Sequence, residues 1–187
     1  MPREDDRVDG LQSMNVWALA DHGSWKFDGA SAAWRAVVEP PGDRVESLRR
    51  MNATAFAAYQ SGKYDEALAA WRAVIDLGEP VFDALDADGR AQVLCARYNA
   101  GAIRCRLNDA AGELAEYARV AQLGEPVFDA LDAAGRAAVL RARCYAGFTR
   151  GRLNDAAAGA LAEYARVAEL GEPVFDALDA DGRAHVL

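Results

Sequence analysis

Arginine is the residue type whose spacing carries the most chemistry in this sequence. From Arg90 to Arg106 there are four arginines and no acid, and from Arg136 to Arg152 five arginines and no acid. Arg90, Arg97 and Arg104 lie seven apart, as do Arg136, Arg143 and Arg150. Seven residues drift only about 20° around a helix, so each trio forms one stripe. Guanidinium forks grip carboxylate and phosphate oxygens in pairs, so adjacent stripes would suit an acidic peptide, a phosphate or another anion. The competing reading is internal. Glu113 and Glu116 on a following antiparallel helix reach back toward Arg104 and Arg97, giving surface bridges worth about 0–1 kcal/mol each. The arginine stems would then lie along apolar surface, with their heads on acids or water.

Other chemistry is thin. Cys95, Cys105 and Cys144 form an odd set without a CxxC spacing, and Cys95 and Cys105 stand about 280° apart on one helix. They read as reduced, small buried hydrophobes. His22 and His185 lie far apart, outside any zinc-ligand spacing. Asp86-Ala87-Asp88-Gly89 resembles part of a calcium loop but has Ala84 and Cys95 where that loop needs acids, so the aspartates read as helix caps. There is no phosphate-binding glycine loop and no acid, base and nucleophile constellation. The sequence thus reads as non-enzymatic, without cofactor or metal. Trp17, Trp25, Trp34 and Trp71 read as core knobs, with an aromatic partner site as the alternative.

The elements that position these residues follow from an internal repeat. GEPVFDALDADGRA occurs at 78–91 and again, letter for letter, at 171–184, and 124–137 reads GEPVFDALDAAGRA. The offsets are 46 and 47 residues. RLNDAAGELAEYARVAQL at 106–123 is echoed at 152–170 with one inserted residue, and KFDGASAAWRAVV at 26–38 parallels KYDEALAAWRAVI at 63–75. Alanine makes up 42 of 187 residues, which favours closely packed helices. Each unit reads as two helices. In the third, Asp86 or Asp88 caps a helix running to Arg106, Leu107-Asn108-Asp109 turns the chain, and a second helix spans Ala110 to Leu123. Its buried stripe is expected to be Leu114, Tyr117, Ala118 and Ala121. Gly124 is expected as a C′ residue after that helix, Pro126 stops it, and 127–131 drops Phe128 and Leu131 between neighbouring units. No segment alternates with period two, so no strand is expected. One hairpin cannot bury both its faces, but stacked neighbours can.

Residues 52–80 resemble a tetratricopeptide repeat in Gly62, Tyr64, Ala67, Trp71 and the closing Leu77 and Pro80. Asn99-Ala100-Gly101 in the next unit is similar to that family's Asn-Leu-Gly, and Ala146-Gly147 echoes it. The later units exceed the family's length by about twelve residues, the insertion being the GEPVFDALDADG block. The resemblance implies an all-α fold: a right-handed superhelical solenoid of antiparallel hairpins whose first helices line a concave groove. Carried over position by position, the groove would hold Arg49, Asn52, Phe56, Tyr59 and Gln60 from one unit. The next would give Cys95, Tyr98, Ala102, Cys105 and Arg106, and the one after Arg141, Cys144, Phe148 and Arg152. Family members that clamp a terminal carboxylate need polar groups where Phe56 and Tyr145 stand, so a chaperone-tail receptor is not expected.

The expected organisation is a charged tail over 1–12, then a helical array over 13–187. Its units are about 13–42, 43–85, 86–131 and 132–178, with a fifth begun at 179–187. Solenoids need polar caps, so Leu178, Val186 and Leu187 are expected to leave an apolar end that either belongs to a longer array or pairs with another copy. The net charge of -8 argues against nucleic acid and anionic membranes as partners. No apolar run nears the ~18 residues of a membrane span, and the charged first ten residues lack a secretory signal, so a cytoplasmic setting is expected. The functional expectation is a non-catalytic module that binds a protein or peptide, an acidic one included. The alternative is the sensor or regulatory arm of a larger signalling or transcription protein that binds a small ligand or peptide.

Overall fold

The computed structural model describes residues 41–153, 157–178 and 183–186. The tail at 1–12, the first unit through residue 40 with Trp17, Trp25 and Trp34, and residues 179–182 and 187 of the fifth unit lie outside the described residues.

Six α-helices form three consecutive hairpins: α1 (Pro41–Gln60) with α2 (Tyr64–Gly78), α3 (Ala87–Arg106) with α4 (Ala110–Gly124), and α5 (Ala133–Arg152) with α6 (Ala157–Gly171). Short 3-10 turns follow each hairpin at Glu79–Ala84, Glu125–Ala130 and Glu172–Ala177. Among the described residues there is no strand. Each second helix packs on the first helix of the next hairpin, and the first helices also touch one another, α1 on α3 and α3 on α5.

The hairpin turns need a left-handed residue, which Gly62 (φ 74°) and Asn108 (φ 58°) supply. After Asn108, the Asp109 carboxylate accepts from the Gly112 N–H at 2.9 Å and caps α4. Asp86 and Asp132 cap α3 and α5 in the same way, accepting from Gly89 at 2.8 Å and Gly135 at 2.7 Å.

The repeated GEPVFDALDADGRA block has a structural task for nearly every letter. Its proline opens the 3-10 turn. Its phenylalanine and leucine, Phe82 with Leu85 and Phe128 with Leu131, are buried between hairpins as expected. Its second aspartate, Asp86 or Asp132, caps the next helix. Its arginine donates to carbonyls at the end of the 3-10 turn: Arg90 to Asp83 O at 2.8 Å and Arg136 to Asp129 O at 2.8 Å. The opening glycine departs from expectation. Gly124 is no left-handed C′ residue; it keeps helical angles (φ -86°, ψ -36°), and the chain passes straight from α4 into the 3-10 turn. Its missing side chain makes room. A Cβ there would stand 2.3 Å from Val139 Cγ2, and the same near-contact recurs at Gly78 with Val93 (2.4 Å) and Gly171 with Val186 (2.3 Å).

A second correction concerns α4. Its buried face is Glu113, Tyr117, Val120, Ala121 and Gly124, while Ala118 faces solvent and Leu114 is half-buried. Rotation about the helix is set by Tyr117, whose ring lies over Gly101 of α3. The continuous core runs through all three hairpins, from Leu48 and Trp71 through Leu94, Ile103, Tyr117 and Val120 to Val139, Leu140 and Val167.

Candidate binding face

The arginine stripes turn inward along the hairpin seams. Arg97 pairs with Glu79 of the preceding 3-10 turn and with Glu116 of α4. One unit on, Arg143 pairs with Glu125 at 2.6 Å and Glu163 at 2.7 Å. Arg104 reaches Asp109 at 2.6 Å, and Arg150 reaches Glu163 at 3.4 Å. Arg119 and Arg166 complete the two networks from the outer side, on Glu79 at 2.6 Å and Glu125 at 3.0 Å. Burial works against the Arg143 charge, but hydrogen bonds from Glu125 and Glu163 outweigh it and raise its pKa. Of the two readings of the stripes, the structure therefore bears out internal pairing. Glu116 reaches back as expected, but Glu113 does not. Its carboxylate, 1% exposed, crosses to α5, where it accepts from Thr149 Oγ1 at 2.8 Å and Arg152 Nη2 at 2.9 Å.

The residues expected to line a groove fall into three groups. Arg49, Asn52 and Phe56 of α1 face Gln92, Cys95 and Asn99 of α3 across a shallow notch of about 380 Å³ floored by Trp71. Arg49 is half exposed and pairs with Asp88 at 2.6 Å and Glu46 at 3.3 Å. Asn52 Nδ2 donates to Gln92 O at 3.0 Å and Oε1 at 2.9 Å. Asn52 Oδ1 and Trp71 Nε1 are buried with no hydrogen-bond partner among the described residues. Phe56 is 49% exposed on the rim. Its ring neighbours Tyr59, which in turn contacts Tyr64 and Trp71. The Arg106 guanidinium lies over Tyr59 at 5.5 Å and Tyr64 at 5.6 Å, and it forms no ion pair among the described residues. Gln60 is exposed at the end of α1.

One unit further along, the corresponding space is filled. Tyr98, Tyr117 and Tyr145 meet with centroids 5.9–6.3 Å apart, and Arg141 lies over Tyr98 at 5.8 Å. Burial pushes the Tyr117 phenol far above its ordinary value. Arg152 is not a groove residue in the expected sense, because its head is held by Glu113 and sits 3.6 Å from Cys105 Sγ. Ala102 is half-buried.

Two units from the first notch, the space opens again. Cys144, Tyr145, Phe148 and Tyr164 face His185 and Val186 across a notch of about 510 Å³, and Phe148 is 58% exposed at its rim. Burial pushes the Cys144 thiol up. Gln92, Asn99, Trp71, Tyr145, Tyr164 and His185 were not expected at a binding face. The signal that finds them is the chain's own 46–47-residue offset, which sets Trp71, Tyr117 and Tyr164 at one position and Asn99 and Tyr145 at another.

The apolar end also differs from expectation. Leu178 is buried and Val186 half-buried against Gly171. The large apolar groups in the open are Leu161 at 65% and Tyr164 at 41% exposure, whose counterparts Trp71 and Tyr117 are covered by the following hairpin. Among the described residues no group of three His, Cys, Asp or Glu side chains could hold a metal ion, and no helix is long and apolar enough to cross a membrane. No family model, curated protein or solved structure matches the chain.

Proposed function

We propose that the chain is a non-catalytic peptide- or protein-binding module, a right-handed superhelical array of tetratricopeptide-like hairpins that holds its partner on the face made by α1, α3 and α5. Three features support this reading. The first helices touch one another from unit to unit, whereas the second helices make no comparable contact among themselves, so the array bends toward the first-helix face. The arginine and glutamate side chains that could do chemistry are spent in seams between helices. The observation that carries most weight is the pair of exposed phenylalanines, Phe56 and Phe148, standing over notches on that same face. The cytoplasmic setting belongs to the same reading, since Cys95, Cys105 and Cys144 are free thiols.

The test is selection of a random twelve-residue peptide display library on the purified chain, followed by hydrogen-exchange mapping of an enriched peptide. Protection confined to α1, α3 and α5 is the expected result. Protection on the outer faces of α2, α4 and α6, or no enriched peptide, overturns the proposal. The exposed Leu161 and Tyr164 favour self-association as a second reading, which sedimentation velocity removes if the particle is strictly monomeric across the concentration range.

A further inference from the structure

The two notches are the same site used twice. Asn52 and Cys144 occupy one repeat position, Phe56 and Phe148 a second, and Trp71 and Tyr164 a third, each pair two units apart. The unit between them carries Tyr98 where the notches have Asn52 and Cys144, and Ala102 where they have Phe56 and Phe148. The tyrosine cluster of Tyr98, Tyr117 and Tyr145 closes that space. The substitution of one side chain therefore decides whether a notch is open or shut: a large ring at the Tyr98 position fills it, an asparagine or cysteine leaves it empty.

We infer that the two open notches together form a bipartite site for one extended peptide segment that presents two apolar side chains about five or six residues apart, with an acidic side chain beside the first. This rests on the binding-module reading above and specifies its partner. The spacing follows from packing. Adjacent first helices lie about 8–10 Å apart, so notches two units apart are separated by about 16–20 Å, and an extended chain covers about 3.3 Å per residue. The acidic residue follows from charge. Arg106 stacks on Tyr59, next to Phe56 at the first notch, and among the described residues it has aromatic partners but no carboxylate. The other cation at that notch, Arg49, is already matched by Asp88 and Glu46. The first notch also has an unused donor in Trp71 Nε1 and an unused acceptor in Asn52 Oδ1, the complement of a peptide group.

The repeat supplies its own blocking variants. Asn52→Tyr and Cys144→Tyr place in each notch the ring that Tyr98 already places in the middle unit, at a position the fold demonstrably accepts. The experiment is fluorescence anisotropy with two probes. One is a labelled nine-residue peptide with phenylalanine at positions 2 and 8, glutamate at 3 and glycine-serine filler; the other has only the first phenylalanine. The two-anchor peptide is expected to bind at least tenfold more tightly than the one-anchor peptide, and each blocking variant is expected to cost about ten- to a hundredfold. Arg106→Ala is expected to weaken the glutamate peptide severalfold and leave a glutamine version unchanged. Equal binding of both peptides, or binding indifferent to Asn52→Tyr and Cys144→Tyr at unchanged circular dichroism, overturns the bipartite site. The library selection separates the two levels. Enriched peptides without paired apolar anchors, or binding the double blocking variant as well as the wild type, sink this inference while the module reading stands; a library that yields nothing sinks both.

Discussion

Glu113→Ala is the substitution whose consequence the structure fixes most closely. Glu113 and Thr149 are 1% and 0% exposed, and their hydrogen bond at 2.8 Å ties α4 to α5. Removing the carboxylate leaves the Thr149 hydroxyl buried without its acceptor, a cost of about 1–3 kcal/mol. The Glu113 stem leaves a void that adds about 1 kcal/mol or more. The lost ion pair adds little, because the Arg152 side chain is 39% exposed and recovers water, and because burying the carboxylate was itself costly. The sum is a destabilisation of about 2–4 kcal/mol. With a urea dependence of about 2 kcal/mol per molar, the midpoint followed by far-ultraviolet circular dichroism is expected to fall by about 1–2 M. The neighbouring interface states the remedy. The positions of Glu113 and Thr149 are held there by Ala67 and Ile103, both fully buried. Glu113→Ala/Thr149→Ile copies that apolar pair and is expected to return the midpoint to within about 0.5 M of wild type, whereas Thr149→Ile alone is destabilising because it presses an apolar group on a buried charge. A Glu113→Ala midpoint unchanged from wild type, or a double variant no better than the single one, refutes the reasoning.

Gly124→Ala drives a Cβ to 2.3 Å from Val139 Cγ2; about 1–3 kcal/mol of overpacking exceeds the ~1 kcal/mol gain in helix propensity, so thermal melts should show a net loss that Gly124→Ala/Val139→Ala relieves more than additively. The Gly112 N–H and Arg104 hold the Asp109 carboxyl below its ordinary value. A depressed folded-state pKa stabilises above the unfolded value and the contribution is lost as pH falls through the folded one, so Asp109→Asn is expected to flatten the decline in urea midpoint below about pH 4. Burial raises the Tyr117 phenol, which stabilises below the unfolded value near pH 10 and is lost as pH rises toward the folded one. Tyr117→Phe is therefore expected to shift alkaline unfolding to higher pH, and Tyr117 should ionise at 295 nm only as the chain unfolds.

The hairpins were legible because their signals are local. Asp86, Asp109 and Asp132 announce helix starts, Asn108 and Gly62 the turns, and Pro126 a stop. What stayed hidden depends on angles between helices. Gly124 looks like a terminator in sequence, yet its task is set by Val139, fifteen residues away on another helix. Glu113 looks like a partner for Arg104, four to five residues beyond a turn, but its own helix is rotated by Tyr117 so that it points at α5 instead. Family register put Arg152 in the groove for the same reason: position along a helix is readable, and which unpaired charge waits across the seam is not.

The repeat separates what folds this chain from what distinguishes its parts. Where the copies agree, each letter closes a seam: Glu79 and Glu125 each gather two arginines from two helices, and Phe82 and Phe128 fill the same gap. A change at such a position damages every function of the array alike. Where the copies disagree, the fold is indifferent and something else selects the residue. Asn52, Tyr98 and Cys144 share one backbone environment, as do Phe56, Ala102 and Phe148, yet they make open, shut and open surfaces in turn. Two chains with the same seams and a different order of open and shut notches would share a fold and bind different peptides. Exchanging Asn52 and Tyr98 tests this: stability should change little, the first notch should close, and affinity for the two-anchor peptide should fall while the middle unit gains a site for a single anchor. If the exchanged chain binds as the wild type does, the disagreeing positions do not encode recognition.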